Sequence, residues 1–377
     1  MSKIYLPYAE QFDLMNENLA RIAGAIGSNI DVSNWAGVQR AVRAGVAPSL
    51  FPVGTQLKVS HTKYGDMLYD VVAHDHFKSA HDANAHTMTL MSHASIDKLQ
   101  YDAPEAFYYA LTKLSAGTYN FTISETYRYW EKGTYQFTLT SALPSGGQLV
   151  INGNADTALT SCTGTSIAPL DDGGVIETFS ITAGSAGTSI GTFGDGLNHI
   201  ARVSDGSDNY AESAIRQFLN SSAAMSESWV SQTRFDVAPA WWGSQNGFMG
   251  GLDDEFLAVI GEVEVPCVSN SQYESPDWSY AKGAKYALKD KFYLASVREI
   301  VGTGSNYADD GTTQFTYYVD SNGVDRIKYA GGVGYAWWTR SPYKTLTANV
   351  HDVTAGGLIS AHYPRHGFGI SPVCTIV

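Results

Sequence analysis

Trp337-Trp338-Thr339-Arg340-Ser341-Pro342 and, nearer the C-terminus, Gly369-Ile370-Ser371-Pro372-Val373-Cys374 are the stretches whose reading decides the fold. The first sets two tryptophans, each able to bury a large apolar area, ahead of a charge and a proline. It reads as a structural strand and turn, so at least one of Trp337 and Trp338 is expected in the core rather than stacked on a sugar. The segment around and beyond it mixes two populations. Val350, Val353, Leu358, Ile370 and Val373 can fill buried positions. His351, Asp352, Thr354, Ser360, His362, Tyr363, Arg365, His366 and Phe368 combine charge, ring and hydroxyl groups without apolar periodicity, and Tyr343, Leu346 and Asn349 extend that set. A rigid scaffold that presents changeable contacts needs this division, because the energy of folding must come from residues other than those that vary. These twelve polar, aromatic and flanking residues are the candidate ligand-binding surface. Tyr363, Arg365 and Phe368 offer the large contact area or planar fork found in interface hot spots.

The whole chain has 377 residues, more than one ordinary domain holds. Its 44% hydrophobic, 12% aromatic and only 16% charged residues indicate a loop-rich α+β or β protein. A net charge of -13 excludes a nucleic-acid footprint, which needs clustered Lys and Arg. Cys162, Cys267 and Cys374 are odd in number and widely spaced, so reduced, mostly buried thiols are expected in place of a disulfide or zinc framework. The N-terminus, Met1-Ser2-Lys3-Ile4-Tyr5, lacks a signal-peptide apolar region, and no apolar run is long enough for a membrane span. Synthesis in the cytoplasm without membrane insertion is the expectation, with any action outside the cell reached by lysis or as part of a particle.

Towards the N-terminus, Phe12, Met15, Leu19, Ile22 and Ile26 recur at a/d spacing. They define an amphipathic helix that either packs on its own domain or serves as an oligomerisation or docking arm over residues 1–48. A trimer is the assembly considered, although heptads this short do not fix a number. A second helix is expected after Asp31 or Ser33 as cap, with Trp35, Val38 and Val42 on one face, ending before Pro48. Short strands follow, including Gln56 to Ser60 and Met67 to Ala73. Between about Tyr109 and Phe193, Gly117-Thr118-Tyr119-Asn120-Phe121-Thr122 is echoed by Gly133-Thr134-Tyr135-Gln136-Phe137-Thr138, which predicts two strands of a β-sandwich. Beyond Gly196, Asn209 to Glu212 opens a helix burying Ile215, Phe218 and Leu219, and Asp253-Asp254-Glu255 opens another, its acids complementing the helix dipole. Phe292-Tyr293-Leu294 reads as a strand, and Ser296 with Glu299 as a capping box.

The ordered landmarks Asn209-Tyr210-Ala211-Glu212-Ser213-Ala214-Ile215-Arg216-Gln217-Phe218-Leu219-Asn220, Trp337 to Pro342 and Gly369 to Cys374 resemble those of the variable target proteins of diversity-generating retroelements in gut phages and prophages. The resemblance covers roughly residues 50 to 105 and 195 to 377. It implies a C-type-lectin-like fold related to formylglycine-generating enzymes, with the variable region at the extreme C-terminus. The domain order it implies is a helical arm over 1–48, a lectin-like domain split into 49–106 and 196–377, and an inserted Ig-like β-sandwich over 107–195. It also implies binding without a cofactor to a host cell-surface protein or glycan, from a virion or phage tail. In such systems template adenines mutate, and the varied Asn codons cannot become Lys, Glu, Gln, Met or Trp codons. These five types make up about one residue in seven of the chain, yet none occurs from Thr345 to Val377, a gap that chance produces on the order of one per cent of the time.

Two other readings compete with this one. A fixed-specificity carbohydrate adhesin lacks a Glu-Pro-Asn or Gln-Pro-Asp calcium motif, and a lectin-like fold does not itself imply sugar binding. A metal-dependent hydrolase would draw on the crowded His74, Asp75, His76, His81, His86 and His93; on a strand His74 and His76 would share a face. Their spacing is not HExxH, no nucleophile elbow, Walker loop or dinucleotide fingerprint is present, and the cysteine pair of formylglycine-generating enzymes does not carry over, since only Cys374 lies near the C-terminus.

Overall fold

The computed structural model describes Asn18, residues 32–103, 206–225, 227, 229–230, 238–269, 283–304, 307–344 and 349–377, together with the backbone of seven strands between 107 and 199. The heptad seam from Phe12 to Ile26 lies outside the described residues. The chain is a mixed α+β protein. Helix α1 (Trp35–Arg43) is capped by Asn34, whose side chain accepts the Gly37 amide at 2.8 Å, in place of the Asp31 or Ser33 expected. Val38, Ala41 and Val42 are buried in the common core, and Trp35 packs on Phe256 with ring centroids 4.7 Å apart. Gln39 and Arg43 also donate to the carbonyl of Val377, at 2.8 and 3.2 Å. Residues 32–48 are therefore part of the globular body, which corrects the expectation of an arm extending to residue 48. Pro48 does not follow the helices but sits in the first turn of α2 (Ala47–Leu50), where its missing N–H costs nothing.

Chain segments from both sides of residues 104–205 build each of the two main sheets. In the first, β1 (Gln56–His61), β2 (Gly65–His74) and β3 (Met88–Ser92) are joined by β21 (Val373–Ile376) and β14 (Phe292–Tyr293), in the order β1-β2-β3-β21-β14. Every residue of β3 is buried because β2 and β21 flank it and both faces are covered, so Met-Thr-Leu-Met-Ser shows no polar alternation. Each large apolar side chain so buried contributes about 1.5–3 kcal/mol. In the second, β4 (Ile96–Gln100) lies beside four C-terminal strands: β17 (Trp337–Pro342), β18 (Val350–Val353), β19 (Ile359–His362) and β20 (Gly367–Ile370), in the order β19-β18-β17-β20-β4. Only β17 and β20 run parallel in it, with Trp337 opposite Gly369. Two hairpins complete the body, β12 (Val263–Val268) with β13 (Lys285–Asp290) and β15 (Lys328–Ala330) with β16 (Val333–Tyr335).

Short helices behave as their caps predict. Ser213 caps α3 (Ala214–Leu219), where Ile215, Phe218 and Leu219 are buried, but Tyr210–Glu212 ahead of it forms a separate 3-10 turn. Asp253 caps α4 (Asp254–Val259) by accepting the amides of Glu255 and Phe256. Ser296 and Glu299 close a reciprocal capping box on α5 (Val297–Val301).

Between 107 and 199 the strands are β5 (Phe107–Ala110), β6 (Gly117–Ile123), β7 (Gly133–Leu139), β8 (Gln148–Val150), β9 (Ser161–Gly164), β10 (Phe179–Thr182) and β11 (Leu197–His199). The near-repeat segments are β6 and β7, paired antiparallel from Gly117 opposite Leu139. The sheets are β6-β7-β10-β9 and β11-β5-β8, so the segment closes with β11, just past the residue-195 boundary expected. On the main body, Gly206 lies beside Asp102 and Ala103. The Asp102 carboxylate accepts the amides of Ser207 at 2.7 Å and Ala214 at 3.3 Å. Gly206 has φ +87, and a Cβ there would lie 2.9 Å from Asp102 O and from Pro364 Cβ. Gly206→Ala combines left-handed strain with a clash against backbone and is expected to destabilise the body by on the order of 1–3 kcal/mol, read as a lower denaturant midpoint by tryptophan fluorescence.

Candidate functional site

Strand β17 is buried along its whole length and forms the base of the C-terminal surface. Both Trp337 and Trp338 are fully enclosed; their indole N–H groups donate to Arg326 O at 3.1 Å and Leu99 O at 3.0 Å. Neither is a platform for a ligand. Arg340 forms a two-pronged pair with Glu299, both bonds 2.6 Å, and donates further to Leu294 O at 2.7 Å and Pro266 O at 3.0 Å. His76 Nε2 lies 3.6 Å from the same carboxylate. Burial alone would push Glu299 up, but Arg340 and His76 outweigh it and hold its carboxyl below the usual range.

On this base the chain turns at Tyr363–His366. Pro364 is buried; its carbonyl accepts the amides of Tyr101 and Asp102, and the Arg365 carbonyl accepts the Gln100 side chain at 2.9 Å. The turn closes with His366 N donating to Tyr363 O. The half-buried side chains it projects meet one another. Arg365 lies over the Tyr363 ring at 5.1 Å, Tyr363 and His366 are 5.8 Å apart, and Phe368 meets His362 edge-on at 4.9 Å and His366 at 6.1 Å. His362 Nδ1 is held 2.7 Å from Asp352 Oδ1, with 38% of the His362 side chain exposed. His362, Tyr363, Arg365, His366 and Phe368 thus form one accessible aromatic and cationic cluster.

The other predicted residues do not join it as expected. His351 is 2% exposed and Asp352 fully buried, because β18 is an interior strand covered on both faces; Asn349 is buried as well. His351 donates to Ser360 O at 2.9 Å and packs between Tyr307 and the half-buried Tyr343. By strand alternation this group lies on the opposite face from Asp352 and His362. Thr354 and Ser360 are partly exposed, Thr354 shaping the turn that receives the Leu358 amide. Leu358, expected inside, is 66% exposed because it sits in that turn. Leu346 lies outside the described residues. Asp352 is therefore an anchor for His362 rather than a contact. Sequence reasoning missed this because its partner lies on the next strand.

The crowded histidines disperse. Asp75 has φ +52, which breaks the alternation that would have put His74 and His76 on one face. His74 donates to Phe51 O, His76 sits between Phe77 and Phe315, and His81, His86 and His93 face Glu262, Asp75 and Asp70 respectively. Among the described residues no three His, Cys, Asp or Glu side chains gather as a metal-ligand set. Cys267 and Cys374 are free and buried, and burial pushes the Cys267 thiol up to about 12.

Residues 197–377 match the family described as a domain of unknown function, DUF6273. No curated protein and no solved structure matches the chain.

Two outcomes follow from the charges. Arg340→Met strips the buried Glu299 carboxylate of its guanidinium partner and is expected to cost about 3–5 kcal/mol in a denaturant titration, with Arg340→Met combined with Glu299→Gln costing less. For Asp352, burial outweighs the hydrogen bond from His362 and pushes the carboxyl up from its ordinary value. A carboxyl raised on folding contributes stability at low pH that is lost as pH climbs through the folded-state value. Denaturant midpoints from pH 4 upward should therefore shift in favour of Asp352→Asn relative to the parent as pH rises.

Proposed function

We propose that this chain is a diversified ligand-binding protein that attaches a phage, or a prophage-encoded particle, to a variable protein or glycan on a host surface through its C-terminal cluster, without cofactor or covalent step. The observation that carries this reading is how the Tyr363–His366 turn is held. Pro364 is buried, and the Pro364 and Arg365 carbonyls accept from Tyr101, Asp102 and the Gln100 side chain; these main-chain bonds can form whichever side chains stand at 363, 365 and 366. A surface that must change its contacts without refolding needs this arrangement. The absence of Lys, Glu, Gln, Met and Trp from Thr345 to Val377 supports the same reading.

A C-type-lectin-like body is supported by the way β21 and β4 tie chain from the two ends of the domain into shared sheets. For the insertion, the seven strands among the described residues, in sheets of four and three, match the strand count of a constant-type Ig domain. The order differs: lettered A to G along the chain, the sheets are B-C-F-E and G-A-D, against A-B-E-D and C-F-G. The insertion is thus proposed as a sandwich of the wider Ig-like architecture with its own connectivity. Several copies on one particle would raise avidity, so each site could bind weakly.

The decisive experiment sequences the locus and its siblings. A reverse transcriptase gene and a near-copy of the segment encoding 345–377 should lie nearby, with adenine-directed differences falling on His362, Tyr363, Arg365 and His366 and sparing His351 and Asp352. Differences spread evenly along the chain, or concentrated on the buried pair, overturn the proposal. In parallel, replacing Tyr363, Arg365 and His366 together by Ser should leave the thermal midpoint near that of the parent while abolishing adsorption of the particle to its host cells.

A further inference from the structure

A second recess lies at the other end of β4, away from Phe368. A cleft of about 370 Å³ opens between the β1–β2 hairpin, the turn after β3 and the β15–β16 hairpin. Its volume is within the range of small-molecule sites. The feature that singles it out is Asp97. Gly369 faces Lys98 and Ile370 faces Ile96, so Asp97 is the extra residue of a β-bulge, and its φ of +29 is one that non-glycine residues rarely hold. The bulge turns the carboxylate out of the pleat to line the cleft. There Oδ2 accepts the Tyr64 hydroxyl at 2.6 Å and Lys63 Nζ at 2.5 Å, while Oδ1 makes no hydrogen bond among the described residues. Strained backbone held by its neighbours, next to a recess, is a recurrent property of ligand sites.

The rest of the wall is equally determined. His93 lines the cleft with its Nδ1 2.9 Å from the buried carboxylate of Asp70, which has Lys328 Nζ 4.0 Å away. Lys328 is itself buried and donates to Ser92 O. Tyr329 stands on the rim with its ring about half exposed. The charges around the recess balance. Asp97 pairs with Lys63, Asp66 with Lys58, and Asp70 with Lys328 and His93, so three carboxylates face three ammonium groups. Among the described residues, neither an anion nor a cation finds uncompensated charge there. What remains is a hydrogen-bonding carboxylate oxygen, an imidazole held in orientation and an exposed aromatic ring.

We propose that this cleft binds a neutral pyranose, its hydroxyls bonded to Asp97 and its apolar face laid on Tyr329, at a fixed site separate from the changeable C-terminal cluster. Its contacts come from residues 63–97 and 329, outside the segment 345–377, so it would be common to all copies whatever that segment reads.

Saturation-transfer NMR on the full chain tests this, using methyl glucoside, methyl galactoside, methyl mannoside and N-acetylglucosamine, with choline, inorganic phosphate and N-acetylneuraminic acid as charged comparators. At least one neutral sugar should bind with a Kd on the order of millimolar, as expected of so small a ligand. Tyr329→Ala and Asp97→Asn should each weaken it about tenfold; Tyr329 is exposed enough that its variant keeps the parent's thermal midpoint. Phe368→Ala should leave sugar binding unchanged. The proposal is overturned if no neutral sugar binds, if choline or an anion binds in preference to every sugar, or if Tyr329→Ala binds as the parent does. Any of these results leaves the reading of the C-terminal cluster standing, because the two sites share no residue.

Discussion

The body of this protein is organised around two charges that have no access to water. Arg340 on β17 and Glu299 on α5 are buried together, and the guanidinium also reaches carbonyls at Leu294 and Pro266. Removing two ions from water is costly, and only an arrangement that fills their hydrogen-bonding capacity repays it. A shift of β17 along its neighbours would strand a charge in the core. The pair therefore fixes β17 against α5 and β12, and through β17 it fixes β18 and β20, the strands that frame the accessible cluster. Both tryptophans of the same strand reinforce this placement by donating to main-chain carbonyls in separate parts of the domain.

Local chemistry was legible in the residues. The helix opened by Asp253-Asp254-Glu255, the Ser296–Glu299 box, the two strands of the near-repeat and the strands after Pro52 all follow from short-range rules, because each depends on atoms a few residues apart. The burial of at least one of the two tryptophans was legible for a different reason, the sheer area of the side chains.

What escaped was set by partners distant along the chain. The polar character of His351 and Asp352 suggested surface, yet β18 lies inside a sheet covered on both faces, and the two side chains find Ser360 O and His362 on the neighbouring strand. Leu358 shows the converse, an aliphatic residue exposed by the turn it occupies. Asp75 scattered the histidines through one backbone angle, and Asp97 reached its cleft through one unpaired residue; neither has a signature in residue type. Glu299 was recognised as a cap, but its second role, neutralising an arginine in another element, requires the fold to be known.

The way Asp102 holds Ser207 and Ala214 has an architectural consequence. A single carboxylate ties together the two chain segments that flank residues 104–205, so the body itself carries a hydrogen-bonded junction between them. Tyr101 and Asp102 also donate their amides to the Pro364 carbonyl, so the junction and the Tyr363–His366 turn stand on one footing, and a displacement of either is passed to the other.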